Sequence, residues 1–134
     1  LSYFFKKYRN EYYSCLQNIR DNDEWEAWLK FFLRGVYDIS QGSTLKAREI
    51  LQMREAHRER IRTISTNAVA LLEFLYQYPL ITVSQVVEQL GMNYHTANRL
   101  VAAFEKEGIL KNISGTSRNR VFLYNDYVAL FENI

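Results

Sequence analysis

The chain has 134 residues, 48% hydrophobic and 15% aromatic, with a net charge of +2, enough apolar material for one domain or two small ones and too much for a disordered tail. A single cysteine, Cys15, excludes an internal disulfide framework and a Cys-rich zinc site and reads as a packed small apolar residue. No apolar run approaches the roughly 20 residues that cross a bilayer, so the expected setting is the reducing cytoplasm, with no membrane partner. The start at Leu1, directly into Ser2-Tyr3-Phe4-Phe5, reads as a piece of a longer protein.

Tyr8, Tyr12, Leu16 and Ile19 recur at helical spacing and predict a first helix, with Asn10 as a break or fresh start. Asp23 is placed to cap a second, in which Trp25, Trp28, Leu29, Phe32, Val36 and Ile39 repeat at the same period. Phe31 and Leu33 widen that apolar face so far that the helix is expected to be covered on several sides, by its neighbours or by a further domain. Trp25, Trp28, Phe31 and Phe32 therefore read as core or domain interface, and Glu24 and Glu26 as first-turn acids favoured by the helix dipole. Gln41-Gly42-Ser43-Thr44 interrupts the pattern, and Ser43 or Thr44 is expected to cap a long third helix ending near Ile64. Ile50, Met53, His57, Ile61 and Ile64 lie near one side of it. Arg48, Glu49, Glu55, Arg58, Glu59 and Arg62 alternate on the other, the pattern of a solvated helix laced by ion pairs. His57, in this charged helix, reads as a surface or half-packed residue and not as a metal ligand, since no second His or Cys stands at ligand spacing.

Beyond residue 65 the signals are crisper. A helix is predicted from Thr66 to Gln77, with Ala68, Leu71, Leu72 and Leu75 as its apolar stripe and Pro79 as its stop. Thr82 and Gln85 have capping-box spacing and open a helix that buries Val83, Val86, Val87 and Leu90 before Gly91. Asn93 can cap a third, Tyr94 to Glu107, whose Ala97, Leu100, Val101 and Phe104 form the inner stripe and which Gly108 closes. Ile109 to Ile113 and Arg120 to Tyr124 are β-compatible runs joined by the polar Ser114 to Asn119, a hairpin with a wing at its tip. Asn125 or Asp126 starts a terminal helix packing Tyr127, Leu130, Phe131 and Ile134. Three short helices and a hairpin are in winged helix-turn-helix order. The expected fold class is mainly α: a helical segment over residues 1–65, then a winged helix-turn-helix with a small β-hairpin over 66–134.

That order points to double-stranded DNA as a partner. With the stripe inward, His95, Thr96, Asn98, Arg99, Ala102 and Lys106 of the third helix face solvent, and Tyr94, His95 and Thr96 sit at the end such helices present to base edges. Arg and Asn can contact guanine and adenine bidentately, and Thr and Ala suit a thymine methyl. Arg118, Asn119 and Arg120 in the wing are placed for phosphate or the minor groove. The expected DNA-binding residues are Tyr94, His95, Thr96, Asn98, Arg99, Arg118, Asn119 and Arg120. From Thr66 onward, however, five basic residues face six acidic ones, and the excess of twelve over nine lies in the first 65. A module so poor in cations needs a dimer, further domains or good base contacts to hold DNA. The competing expectation is a protein-docking or dimerisation block, in which Tyr94, Phe122 and Tyr124 would matter more than Arg99.

Ser2-Tyr3-Phe4-Phe5-Lys6-Lys7 with Arg9-Asn10-Glu11-Tyr12-Tyr13, then the run from Asp23 through Glu24-Trp25-Glu26-Ala27-Trp28 to Val36, resembles the region just after the catalytic loop of Fic-family proteins. Thr96-Ala97-Asn98-Arg99-Leu100 and Gly108-Ile109-Leu110 resemble the winged helix that many of them carry at the C-terminus. The resemblance implies a bacterial or archaeal parent protein that transfers AMP from ATP to a hydroxyl side chain of a target protein, with ATP and Mg as cofactors of the catalytic domain. It also implies that domain as a partner, with a homodimer possible. The family's His-Pro-Phe motif and Gly-Asn-Gly-Arg loop are absent: the only histidines, His57 and His95, are not followed by Pro-Phe. No catalytic residue, metal ligand or cofactor site is therefore expected in this chain, which reads as a non-enzymatic, regulatory part.

Overall fold

The computed structural model describes residues 1–132, so the expected packing of Ile134 lies outside the described residues. The chain is mainly helical, with one small antiparallel sheet, in the order α1 (Ser2–Lys7), α2 (Arg9–Asn22), α3 (Trp25–Ile61), α4 (Thr66–Gln77), β1 (Leu80–Thr82), α5 (Val83–Leu90), α6 (Tyr94–Lys106), β2 (Lys111–Asn112), β3 (Val121–Leu123) and α7 (Asn125–Glu132). Two compact units divide it, Leu1–Arg48 and Glu49–Ile134.

The first unit is organised by aromatic rings. Phe4 and Phe31 are buried with ring centroids 5.1 Å apart, Phe5 stacks on Tyr12 at 5.0 Å, and Trp28 closes on both Phe5 and Phe31. Arg34 lies over Phe4, Tyr8 and Phe31 at 5.2–5.4 Å and donates to Glu11 Oε2 at 2.7 Å, a cation held between π faces and a carboxylate. Gly35 is required by this packing, because a Cβ there would stand 2.7 Å from the Phe4 ring.

Three local expectations are corrected in this unit. The helical break falls at Tyr8 (φ −107°, ψ 41°) and not at Asn10, where the Tyr8 ring packs 4.7 Å from Phe4. Asp23 does not open α3. It ends α2 in the left-handed region (φ 52°), which Asp tolerates, and its carboxylate accepts from Trp25 Nε1 at 2.9 Å. Nor does the chain break at Gln41 to Thr44: α3 runs through, with Thr44 Oγ1 donating to the Ser40 carbonyl at 2.8 Å instead of capping a new helix. One interior glycine costs only about 1 kcal/mol relative to alanine, which a long helix absorbs. Of the wide apolar face, Trp25, Leu29, Leu33, Val36 and Tyr37 remain exposed.

In the second unit, α4, α5 and α6 wrap a core of Leu71, Leu72, Leu75, Val86, Val101 and Phe104, completed by Ile81, Ile109, Phe122 and Tyr124. Helix α4 has the bounds its stripe predicts, and α6 ends at Lys106 with Glu107 as its C-cap. Both ends of α5 behave as the sequence suggests: Thr82 and Gln85 form the reciprocal capping box, and Gly91 terminates the helix at φ 63°.

The sheet departs from expectation in two ways. A third strand, β1, precedes α5 and pairs with β3 (Ile81 opposite Phe122), so the order is β1-β3-β2. Its Leu80 followed by the β-branched Ile81-Thr82-Val83 was a signal, masked by the helix cap overlapping it. The hairpin strands are shorter than predicted, because the amides of Ile109 and Leu110 both donate back to the Phe104 carbonyl, closing α6 instead of entering the ladder.

His57 is the clearest reversal. It is only 2% exposed, with Nδ1 2.7 Å from the Tyr124 hydroxyl and Nε2 3.1 Å from Asp126 Oδ2. Met53, His57 and Ile61 all pack into the second unit, which is why that unit begins at Glu49 and not at residue 66.

Candidate nucleic-acid interface

Helix α6 is held from within and displayed from without. Ala97, Leu100, Val101 and Phe104 are buried, and Asn93 Oδ1 accepts from the Thr96 amide at 2.8 Å, fixing where the helix starts. This leaves Tyr94 (61% exposed), His95, Thr96, Arg99 and Ala102 at the surface, with Asn98 half-buried among them.

Two clefts flank this face. The first, of 330 Å³, is lined by Thr82, Val83 and Ser84 from the start of α5, by Tyr94, and by Ser117, Arg118, Asn119 and Arg120. Here the first turn of α5, with its partial positive charge, faces the basic loop between β2 and β3. The second, of 260 Å³, is lined by Ile64, Ser65, Asn67, Thr96, Arg99, Leu100 and Ala103. Of the predicted residues, Tyr94, Arg118, Asn119 and Arg120 thus converge on one flank and Thr96 and Arg99 on the other, with His95 exposed on α6. Ser65, Asn67, Thr82, Ser84 and Ser117 are contributed by the tertiary structure. Their only sequence signal was the polar character of two helix starts and a loop.

The residues of the β2–β3 loop play unequal parts. Asn119 occupies the left-handed region (φ 49°) and turns the chain, while Thr116 Oγ1 donates to the Arg118 carbonyl at 2.7 Å and leaves the Arg118 side chain exposed. Arg120 is half-buried. Its Nη2 donates to Asn98 Oδ1 at 2.7 Å and its guanidinium sits 5.4 Å from the centre of the Phe122 ring. It is engaged with α6 and the core, and does not extend from the tip of the loop.

From Glu49 onward nine basic residues balance nine acidic ones. Several of these cations are spent internally: Arg54 pairs with Glu73 and Arg62 with Glu59. Among the described residues Arg99 and Arg118 carry no salt bridge. The docking alternative loses two of its residues as contacts, since Phe122 and Tyr124 are fully buried; only Tyr94 of that set is at the surface.

The other polar constellation is His57, Tyr124, Asp126 and Tyr76, linked by hydrogen bonds of 2.7, 3.1 and 3.3 Å. Burial pushes His57 below the usual histidine range, opposed by its hydrogen bond to Asp126 and the charge there, and burial likewise pushes the Tyr124 phenol up. His57 meets the Tyr124 hydroxyl through Nδ1 and the Asp126 carboxylate through Nε2, and the Tyr124 hydroxyl donates to that of Tyr76. With His57 and Tyr124 both buried, the group ties the end of α3 to the start of α7. Among the described residues no group of three or more His, Cys, Asp or Glu side chains is placed to hold a metal ion. No protein-family model matches the chain.

Proposed function

We propose that the second unit is a winged helix-turn-helix that binds double-stranded DNA, as the regulatory arm of a Fic-family AMP-transferase. The observation that carries the DNA reading is the exposed face of α6, flanked by two clefts, one holding Arg99 and the other Arg118, neither of which has a carboxylate partner among the described residues. In this reading α6 enters the major groove, His95 and Asn98 meet base edges, and Arg99 and Arg118 take phosphates on opposite sides of the helix. With no net charge in the unit, two copies acting together supply the phosphate contacts that one lacks.

Fluorescence-anisotropy titration of the chain against the promoter of its own gene and a scrambled duplex, at two salt concentrations, tests this. Preference for the promoter with a steep salt dependence is expected. Arg118→Ala should weaken binding to all sequences and lower the salt slope by about one. The family assignment rests on the sequence resemblance and is tested separately: the parent protein should carry the His-Pro-Phe and Gly-Asn-Gly-Arg motifs and transfer labelled AMP from ATP in the presence of Mg.

A second reading, protein docking, is favoured by one observation. Leu80 on β1, Ile113 just after β2 and Tyr94 at the start of α6 are exposed apolar or aromatic side chains (50%, 49% and 61%). Equal, negligible affinity for both duplexes would move the unit to that class.

A further inference from the structure

The contact between Arg120 and Asn98 carries a consequence for which base is read, and it rests on the DNA reading above. A guanidinium has five N–H donors and no acceptor, so the atom of Asn98 that meets Arg120 Nη2 at 2.7 Å is Oδ1, and the orientation of the amide follows without ambiguity. Arg120 is itself restrained, because its guanidinium lies against the buried ring of Phe122 and both polar side chains are half-buried. The Asn98 Nδ2 group makes no hydrogen bond among the described residues. What Asn98 has left to offer is therefore a donor, beside a fixed positive charge.

In the major groove guanine shows two adjacent acceptors, N7 and O6. Adenine shows one acceptor and one donor, thymine one acceptor, and cytosine a donor only. The usual asparagine contact to adenine needs Oδ1 turned toward the base to accept from N6 while Nδ2 donates to N7. Arg120 holds Oδ1 away from that role, and its charge disfavours an amino group at the same place. We infer that Arg120 is a positioning residue that locks the Asn98 amide as a donor, so that Asn98 selects guanine and rejects cytosine, and that without Arg120 the amide turns into an adenine reader.

Selection from a duplex pool with a randomised central segment, followed by sequencing, tests this on the whole chain with wild type, Asn98→Ala, Arg120→Ala and Arg120→Lys. The wild type should enrich a site with guanine at one position whose preference Asn98→Ala erases. Arg120→Ala should retain the other positions while shifting that one from guanine toward adenine by roughly five- to a hundredfold in relative affinity, the range of one bidentate base contact. Arg120→Lys, which keeps a donor for Oδ1 and the charge, should restore guanine and guards against loss of folding in the alanine variant. A uniform loss of affinity in Arg120→Ala with unchanged base preference and a lowered salt slope would make Arg120 a backbone contact and overturn the inference while leaving DNA binding intact. Adenine or cytosine at the Asn98-dependent position of the wild type would overturn it as well. No enrichment by the wild type would remove the DNA reading and this inference with it.

Discussion

The two units bury their apolar residues in different ways. The unit from Glu49 closes a core in which Phe104, Phe122, Tyr124 and three leucines of α4 are essentially inaccessible, while the unit up to Arg48 buries Phe4, Cys15 and Phe31 and leaves Trp25, Leu29, Leu33 and Tyr37 exposed. Three helices joined by a strand layer surround a residue from all directions, whereas rings stacked along helices cover each other on one side only. The difference teaches where rigidity lies. A surface that must hold side chains in register for a ligand is better built on the closed unit, and α6 is there. The open unit derives its order from ring pairs worth about 0.5–1.5 kcal/mol each beyond their buried area, and its exposed face is available for a partner.

The strongest way to break the contrast is to open the closed core. Phe104→Ala should cost about 3–5 kcal/mol, the usual range for a fully buried aromatic, and denaturant titration should show the loss as a lower midpoint. A loss below 1 kcal/mol would mean the core around α6 is not closed. Gly35→Ala probes the other unit. The new methyl group meets the Phe4 ring, an overpacking of about 1–3 kcal/mol, offset by about 1 kcal/mol of improved helix propensity. Amide exchange should therefore accelerate modestly in α1 and α2 and stay unchanged in α4 to α6. Unchanged protection throughout would show that the ring cluster does not order its unit.

A pH titration sharpens the comparison further. Because burial depresses the folded-state pKa of His57, the unfolded chain binds a proton there at higher pH than the folded one. Stability of the closed unit should be full above about pH 6.5 and fall as the pH drops from there through the lower folded value. Thermal melts of wild type and His57→Gln across that window are the check, and the variant should lose this part of the dependence. The smallest effect is expected on the open unit's surface. Lys30→Ala removes the pair with Glu26, but both side chains are more than 70% exposed (75% and 77%), and no measurable change in midpoint should follow.

Legibility in the sequence followed the range of the interactions. The bounds of α4, the capping box of Thr82 with Gln85, the Asn93 cap and the inner stripe of α6 were readable because each depends on residues at most a few positions apart. The same information suggested that His95, Thr96, Asn98, Arg99, Ala102 and Lys106 lie outward, which holds for all but Asn98, half-buried beside Arg120. Local signals misled where a distant contact outweighed them: β1 forms because β3, some 40 residues later, supplies its ladder.

By itself, then, the sequence determined a mainly helical chain with three striped helices in its second half, two of them capped by a side chain, since helix periodicity and caps are local physics. Only the tertiary structure decided that His57 is buried against Tyr124 and Asp126, that Arg120 is bound to Asn98, and that Arg99 and Arg118 fall on opposite flanks of α6. These contacts join residues 22 to 69 positions apart. Hydrogen-bond partners and burial at such separations depend on how the elements pack, and neither residue type nor spacing encodes that.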